Sequence, residues 1–502
     1  MKKVYIYMTI CMISFMNFSC KDWLDVNSED DIYSEELFST VDGYYTALNG
    51  LYSKLSDQSL YGENLVWYFN EAWGKSYDLA PDKNEDLRSL VSGDFENSNL
   101  KSKTEEIWKA AYKVIAEANA LIQAKEADET TIFPYDGKAG DAVLGEAIAI
   151  RALMHFEMVK MFAPAPIVDN GGETAAIPYV TKFPSKINPL VKTNVILENV
   201  VNDLLRAKDL VMAIDTCEDY DAGYASWSTR YYQVRVKLYN EPGINSASPD
   251  EAWRYRGNKM NYYAILGTLA RVYLYMGDYQ NAYKYASMVT EKAGRYFVNL
   301  SSKYLIGNQM EDGGVINRLP SEMIFAVYNE DINDVVSTYF TSMDNSNDFD
   351  LFYIKDADYI FADAPDDVRA KVLYENRCMK FSLNGLDVAS LEKTKCLIPV
   401  LRIAELYLIE AESSFDTDKA NAINIFNYFV DERGNSSTLS LSESITKEEF
   451  MNAIVAEYRR EFISEGINFY VHKRLNKPFN IEGGEGSTLE NVVLPLPDSY
   501  SN

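Results

Sequence analysis

Histidine occurs only twice in the 502 residues, at His155 and His472, and cysteine five times. Two imidazoles leave a His-rich metal centre or a Ser-His-Asp arrangement almost nothing to draw on. His155 sits in a mostly apolar stretch and reads as a packed ring rather than a base. No glycine-rich phosphate loop and no nucleophile elbow is present. Carboxylates abound, so a glycosidase-like pair could be drawn almost anywhere and abundance identifies none. Positive charge is scarce: 48 Lys and Arg against 75 Asp and Glu give a formal net charge of −27. Such a field repels phosphate backbones and excludes nucleic acid as an expected partner. Beyond residue 20 the only thiols are Cys217, Cys378 and Cys396, too scattered for a disulfide framework or a zinc site. A Cys378–Cys396 bridge and buried free thiols both remain open. The stretch Asp344-Asn345-Ser346-Asn347-Asp348 alternates oxygen donors like a calcium loop but lacks the glycine and distal glutamate of an EF-hand. It reads as a solvated loop with calcium as the alternative, and no other cofactor is expected.

Long apolar runs are missing too. After the first twenty residues nothing approaches the roughly 18 apolar residues of a membrane span. Those first twenty differ: Lys2 and Lys3 precede a run from Val4 to Phe18 interrupted by Thr9, Ser14 and Asn17. A basic start, a short apolar core and a small Ser19 before Cys20 make residues 1–19 a signal peptide. Cys20 directly after Ser19 resembles a bacterial lipobox, in which the thiol is acylated and heads the mature chain; position −3 departs from it, being Asn17. Two or three acyl chains anchor firmly where one binds only marginally. Ordinary cleavage with a leftover cysteine is the alternative. Losing Lys2 and Lys3 leaves 46 basic against 75 acidic residues, a net charge of −29.

Apolar periodicity predicts helices in pairs. Leu144, Ile148, Ala152, Phe156 and Val159 make one stripe, and Ala147, Ile150, Met154, Met158 and Met161 a second on the same helix. A helix apolar on two faces must be covered on two sides, as in a stacked array, and Pro164 and Pro166 stop it. Ala270, Tyr273, Gly277, Tyr279, Ala282 and Ala286 follow the small/aromatic rhythm of a tetratricopeptide pair. Ala404 and Tyr407 repeat it, with Ala420 expected where Ala282 stood. Pairs are placed near 36–125, 142–211, 261–292 and 400–432, the last opening at Val400. Ser102-x-x-Glu105 and Thr446-x-x-Glu449 read as capping boxes. The expectation is a mainly all-α single body over 20–502, a curved scaffold of helix pairs interrupted by long irregular insertions near 56–99, 217–258 and 300–397.

Several blocks together resemble the SusD/RagB-like outer-membrane nutrient-binding lipoproteins of Bacteroidetes. They include Leu24-Asp25, Asn49-Gly50-Leu51-Tyr52, Trp108-x3-Tyr112-x6-Asn119, and Glu146 with Arg151-Ala152 and His155-Phe156. Arg402-Ile403-Ala404-Glu405-Leu406-Tyr407 through Glu412 is the most specific, followed by Arg459-Arg460-Glu461-Phe462, Glu465-Gly466, Lys473-Arg474-Leu475 and Leu494-Pro495-Leu496-Pro497. Phe469-Tyr470-Val471-His472 departs from the more usual Arg-Trp-Phe-Asp. The resemblance implies a SusD-like fold and no catalysis. It further implies a surface-exposed outer-membrane lipoprotein that captures an oligosaccharide and delivers it to a SusC-like TonB-dependent transporter. Lys21 and Asp22 resemble the export signal of such lipoproteins. A peptide-capturing relative and a glycosidase on a helical scaffold are the alternatives.

Charges on the apolar helices, namely Arg151, Arg271, Arg402, Glu405, Glu412 and Glu461, are expected to be buried and paired, because isolation would be costly. Ligand contacts should come instead from the insertions, since loops on a rigid frame carry binding residues. Tyrosine numbers 37, and aromatic rings offer contact area at little conformational cost. A pyranose can stack its C–H face on such a ring while neighbouring polar groups take its hydroxyls. Trp227, among Ser226, Ser228, Thr229 and Arg230, is the first expected contact, followed by Trp73 beside Gly74, Tyr231, Phe352 and Tyr77.

Overall fold

The computed structural model describes residues 36–128, 132–133, 137–185, 188–216, 256–291, 298–303, 319–341, 352–381, 395–479 and 489–501. Its longer helices are α1 (Val41–Leu55), α2 (Glu85–Ser92), α3 (Ser98–Ala127), α4 (Lys138–Phe162), α5 (Thr193–Asp215), α6 (Tyr262–Met276), α7 (Tyr279–Thr290), α8 (Ile403–Ser414), α9 (Lys419–Glu432), α10 (Lys447–Glu461) and α11 (Asn468–Leu475). From α3 to α9 each helix packs on the next in chain order, α1 lies on α3, and α10 joins α8 to α11. Sequential stacking of this kind is the architecture of tetratricopeptide-type arrays, and the fold is all-α.

The apolar positions dictate that stacking. In α4 nearly every residue from Ala139 to Phe162 is buried, because the helix lies between α3 and α5 and has two apolar faces to cover. Gly145 lets α5 come close: a Cβ there would stand 3.0 Å from the Ala207 carbonyl oxygen. In the central pair Ala270, Ala282 and Ala286 are fully buried, while Tyr273 and Tyr285 stack with centroids 5.5 Å apart. Gly277 ends α6 at φ 79°, a left-handed conformation in which a side chain would be strained. Asp278 then caps α7 by accepting from the Asn281 N–H, and Asp418 caps α9 in the same way through Asn421. That shared cap fixes the internal register and corrects the expected one. Ala422, fully buried, is the counterpart of Ala282, whereas Ala420 is exposed.

Two local expectations change. Val400 does not open a helix. Among the described residues the short strands are β1 (Tyr77–Asp78), β2 (Ala175–Ile177), β3 (Val191–Lys192), β4 (Met323–Tyr328), β5 (Tyr353–Ile354), β6 (Leu373–Tyr374), β7 (Arg377–Cys378) and β8 (Leu397–Arg402). β8 pairs antiparallel with β4, both buried over almost their whole length, and α8 begins only at Ile403. Pro399 disfavours a helical residue before it and keeps this apolar run extended. The box at Thr446 and Glu449 is formed in both directions. Ser102 forms none: it lies inside α3, donating to the Ser98 carbonyl, and Asn97 caps that helix one turn earlier.

Most charges buried between helices are paired, Lys473 being an exception that donates to the Lys160 carbonyl. Arg151 meets Asp203, Arg271 meets Glu405 and Arg474 meets Glu412. The largest cluster joins the ends of β8, α9 and α10. Arg402 donates to Glu322 at 2.9 Å, Glu461 at 2.6 Å and Glu465 at 2.8 Å; Arg433 donates to Glu322 at 3.0 Å and Glu461 at 2.9 Å; Arg369 reaches Glu461 at 2.8 Å. Removing one member would strand the others without solvent, which is how such a cluster locks elements in register. Cys378 and Cys396 are buried free thiols.

Candidate functional site

Described parts of two insertions, residues 56–99 and 319–381, meet on one face. β1 pairs with β5, setting Tyr77 opposite Ile354 and Asp78 opposite Tyr353. Strand alternation turns Tyr77 and Ile354 inward, where they are buried, and leaves Asp78 and Tyr353 exposed. Beside them β6 and β7 form a hairpin through Glu375 and Asn376, at φ 49° and 59°, the positive values a two-residue type I′ turn requires. It sets Tyr374 opposite Arg377. The Ile354 N–H donates to the Asn376 carbonyl at 2.6 Å, fastening hairpin to strand. Tyr353 is 44% and Tyr374 57% exposed. Arg377 is half-buried, donating to the Phe340 carbonyl at 3.3 Å and to Glu375 at 2.8 Å.

Under this platform lies a stack of rings. Tyr77 and Phe352 are parallel within 15° at 4.6 Å, and Phe352 and Tyr339 within 7° at 4.9 Å. The Tyr77 hydroxyl donates to the Trp67 carbonyl at 2.7 Å, and burial pushes its pKa well up. The platform is therefore held from below by packed aromatic rings, and its outward tyrosines are presented on short hydrogen-bonded strands.

Two residues past Tyr353 the chain borders a groove of about 600 Å³, within the range of small-molecule sites. The Lys355 carbonyl accepts from Arg459 of α10 at 3.2 Å. Tyr359 and Asp363 line one wall, Asn452 and Arg459 the other, and His472 and Lys477 the end near α11. Burial pulls the His472 pKa down to about 4, so its ring is neutral at pH 7. A smaller pocket among Tyr61, Glu157, Arg271 and Tyr470 measures only about 50 Å³, room for water rather than a sugar ring.

The expected contact residues fall differently. Trp73 is 3% exposed; its ring stacks on Phe469 at 3.9 Å and its indole N–H donates to the Asn491 carbonyl at 2.9 Å. Tyr77 and Phe352 are buried, with both faces of Phe352 taken by Tyr77 and Tyr339. For these three the expectation of a ligand-facing ring is corrected: neighbouring rings take the surface a sugar would need. Trp227 and Tyr231 lie outside the described residues, as do Cys20, the signal segment and Asp344–Asp348. Tyr353 and Tyr374 were not among the five expected contacts, although the alternation in Leu373-Tyr374 and Arg377-Cys378 about a two-residue turn was there to be read. His155 is fully buried, its Nδ1 2.9 Å from the Arg151 carbonyl and its Nε2 accepting from the Val180 N–H, and burial lowers its pKa to about 3. Among the described residues no group of three His, Cys, Asp or Glu converges as metal ligands, and no helix is long and apolar enough to cross a membrane.

Residues 363–481 match the model of the SusD family, and residues 22–274 match a SusD-like model described as starch-binding associating with outer membrane. SusD-like protein P38 of Formosa agariphila is 21% identical over 505 residues, 95% of this chain and 92% of that protein. SusD-like protein P2 of the same organism is 24% identical over 211 residues, and the match spans 38% of its length and 42% of this chain. The crystal structure of a SusD superfamily protein from Bacteroides thetaiotaomicron superposes with a TM-score of 0.67 at 23% identity, covering 90% of this chain and 92% of that one. A SusD-like carbohydrate binding protein from Bacteroides vulgatus does so with a TM-score of 0.67 at 16% identity, covering 92% and 96%. At these identities the likeness between structures is one of fold.

Proposed function

The chain belongs to the SusD family, and from that premise we propose that it is a glycan-binding protein of the outer-membrane surface. It is tethered through an acylated Cys20, captures an oligosaccharide and passes it to a SusC-like TonB-dependent transporter without chemistry. One observation carries the binding reading: Tyr353 and Tyr374 stand outward on a braced strand platform beside Asp78, Asn376 and Arg377, next to a groove of about 600 Å³. Aromatic faces with hydrogen-bonding groups at their edges suit a sugar, which has a C–H face and a rim of hydroxyls. The family description, starch-binding associating with outer membrane, supports the same ligand class and location. The signal run ending at Ser19-Cys20 supports the tether. Trp227 and Tyr231 complete the proposed ligand contacts from the insertion near 217–258.

Full-length protein purified in detergent and screened against an oligosaccharide panel and a peptide library side by side tests the reading. Binding to oligosaccharides with no change in their reducing ends is expected. Capture of peptides alone, or release of new reducing ends, would replace it with the peptide-uptake or glycosidase alternative.

A further inference from the structure

We propose that the groove beside Tyr359 receives an anionic sugar unit, a uronate or a sulfated sugar, with Arg459 and Lys477 as its charged contacts. This rests on the glycan-binding reading and narrows it to a ligand class.

Arginine pairing elsewhere among the described residues sets Arg459 apart, although buried Lys473 also rests on a carbonyl alone, that of Lys160. Every arginine buried among the described residues, from Arg151 and Arg256 to Arg369, Arg402, Arg433 and Arg460, meets at least one carboxylate. Arg459 does not. It is half-buried in the groove wall, and its one hydrogen bond goes to a neutral acceptor, the Lys355 carbonyl. Asp356 and Glu71 act on it electrostatically, but no described carboxylate comes within ion-pair distance. Lys477, also half-buried, donates to the Asn452 side-chain oxygen at 2.6 Å and likewise has no ion pair among the described residues. The carboxylates of the groove do not answer these two cations. Asp363 is bound to Arg460, and Glu448 is exposed in the first turn of α10. His472 adds a neutral ring rather than a charge.

A chain of net charge −27 thus lines a groove of about 600 Å³ with two cations that have no anionic partner among the described residues. Holding charge partly out of water without a counter-charge is unfavourable, and an incoming carboxylate or sulfate supplies the missing partner. Arg is suited to this, since its planar fork can donate two parallel hydrogen bonds to such a group. The negative field of the rest of the surface does not cancel the attraction, because at physiological salt charges beyond about 8 Å are largely screened. Exposed Tyr359 at the rim offers a ring for the same sugar.

Calorimetry on the full-length protein in detergent, with oligogalacturonate, a sulfated galactan oligosaccharide and a neutral malto-oligosaccharide of equal length, tests this. At least one anionic oligosaccharide should bind tenfold or more tighter than the neutral one. That advantage should shrink as NaCl rises from 50 to 500 mM, and Arg459→Gln and Lys477→Gln should each weaken the anionic oligosaccharide severalfold more than the neutral one. The salt series needs only the unaltered protein, so it decides even if a variant folds poorly. The uronate and sulfate arms tell which anion is used. Neutral binding equal to or tighter than anionic binding, or an advantage indifferent to salt and to both substitutions, would overturn the inference and leave the glycan-binding reading standing. Binding of none of the three would overturn the inference, and failure of the wider panel as well would overturn both.

Discussion

Replacing Glu461 by Gln should destabilise this fold more than almost any other isosteric change. The carboxylate is 3% exposed and accepts from Arg402, Arg433 and Arg369 together. Burial alone would push its pKa up, but the three guanidinium groups hold it well below the usual carboxylate range. The amide keeps the volume, removes the charge and turns an N–H2 toward cations, leaving them uncompensated in the interior. Breaking a buried pair in this way costs about 3–5 kcal/mol. An unfolding entropy of about 2.1 cal/mol/K per residue over the roughly 480 residues after the signal amounts to about 1 kcal/mol/K, so the melting temperature should fall by about 3–5 °C. The pH dependence follows with its sign. A carboxylate whose folded pKa is depressed contributes its full stability above the unfolded value, near 4.5, and loses it as pH falls toward the lower folded value. Calorimetric melts between pH 3 and 8 should show the wild-type advantage over Glu461→Gln constant above about pH 5 and shrinking below about 4.5. An unchanged melting temperature, or a gap that does not narrow in acid, would refute the idea that this cluster clasps β8, α9 and α10 together.

Other substitutions test separate features. Ala270→Leu should overpack the contact of α6 with its neighbours and cost about 1–3 kcal/mol, read as a lowered melting temperature; an unchanged melt would place Ala270 against open space. Trp73→Ala should cost about 3–5 kcal/mol of stability, because the stack on Phe469 and the bond to Asn491 are lost together; a normal melt with weakened glycan binding would return Trp73 to the ligand face. Cys20→Ala should release the protein from membranes, and continued fractionation with outer membrane in cells lacking the transporter would show that the tether lies elsewhere.

The scaffold was legible because it is written in period. The two stripes of the 142–162 helix, the breaks at Gly277-Asp278 and the capping box at Thr446 and Glu449 are local signals, and local physics satisfies them. Ser102-x-x-Glu105 fits the same pattern, but Asn97 began that helix one turn earlier, so Ser102 had no free N–H to cap. The Leu397–Arg402 strand was hidden because its partner, Met323–Tyr328, lies some seventy residues away and nothing nearby announces the pairing. Which aromatics face outward was not legible either. Gly74 beside Trp73 suggested an exposed loop, whereas a Cβ there would lie 3.3 Å from the Phe469 backbone nitrogen, so the glycine serves close packing. The groove joins residues near 359, 452 and 477, a convergence that only the folded chain makes.

Isothermal titration of the tightest-binding oligosaccharide of the panel into wild-type protein and into a Tyr353→Ala/Tyr374→Ala double variant tests the central claim most directly. Both rings are substantially exposed, so the melting temperature should scarcely move, while binding should weaken by roughly 1–3 kcal/mol for each ring that stacks on sugar. Full affinity in a normally folded double variant would contradict the account and move the site away from the platform.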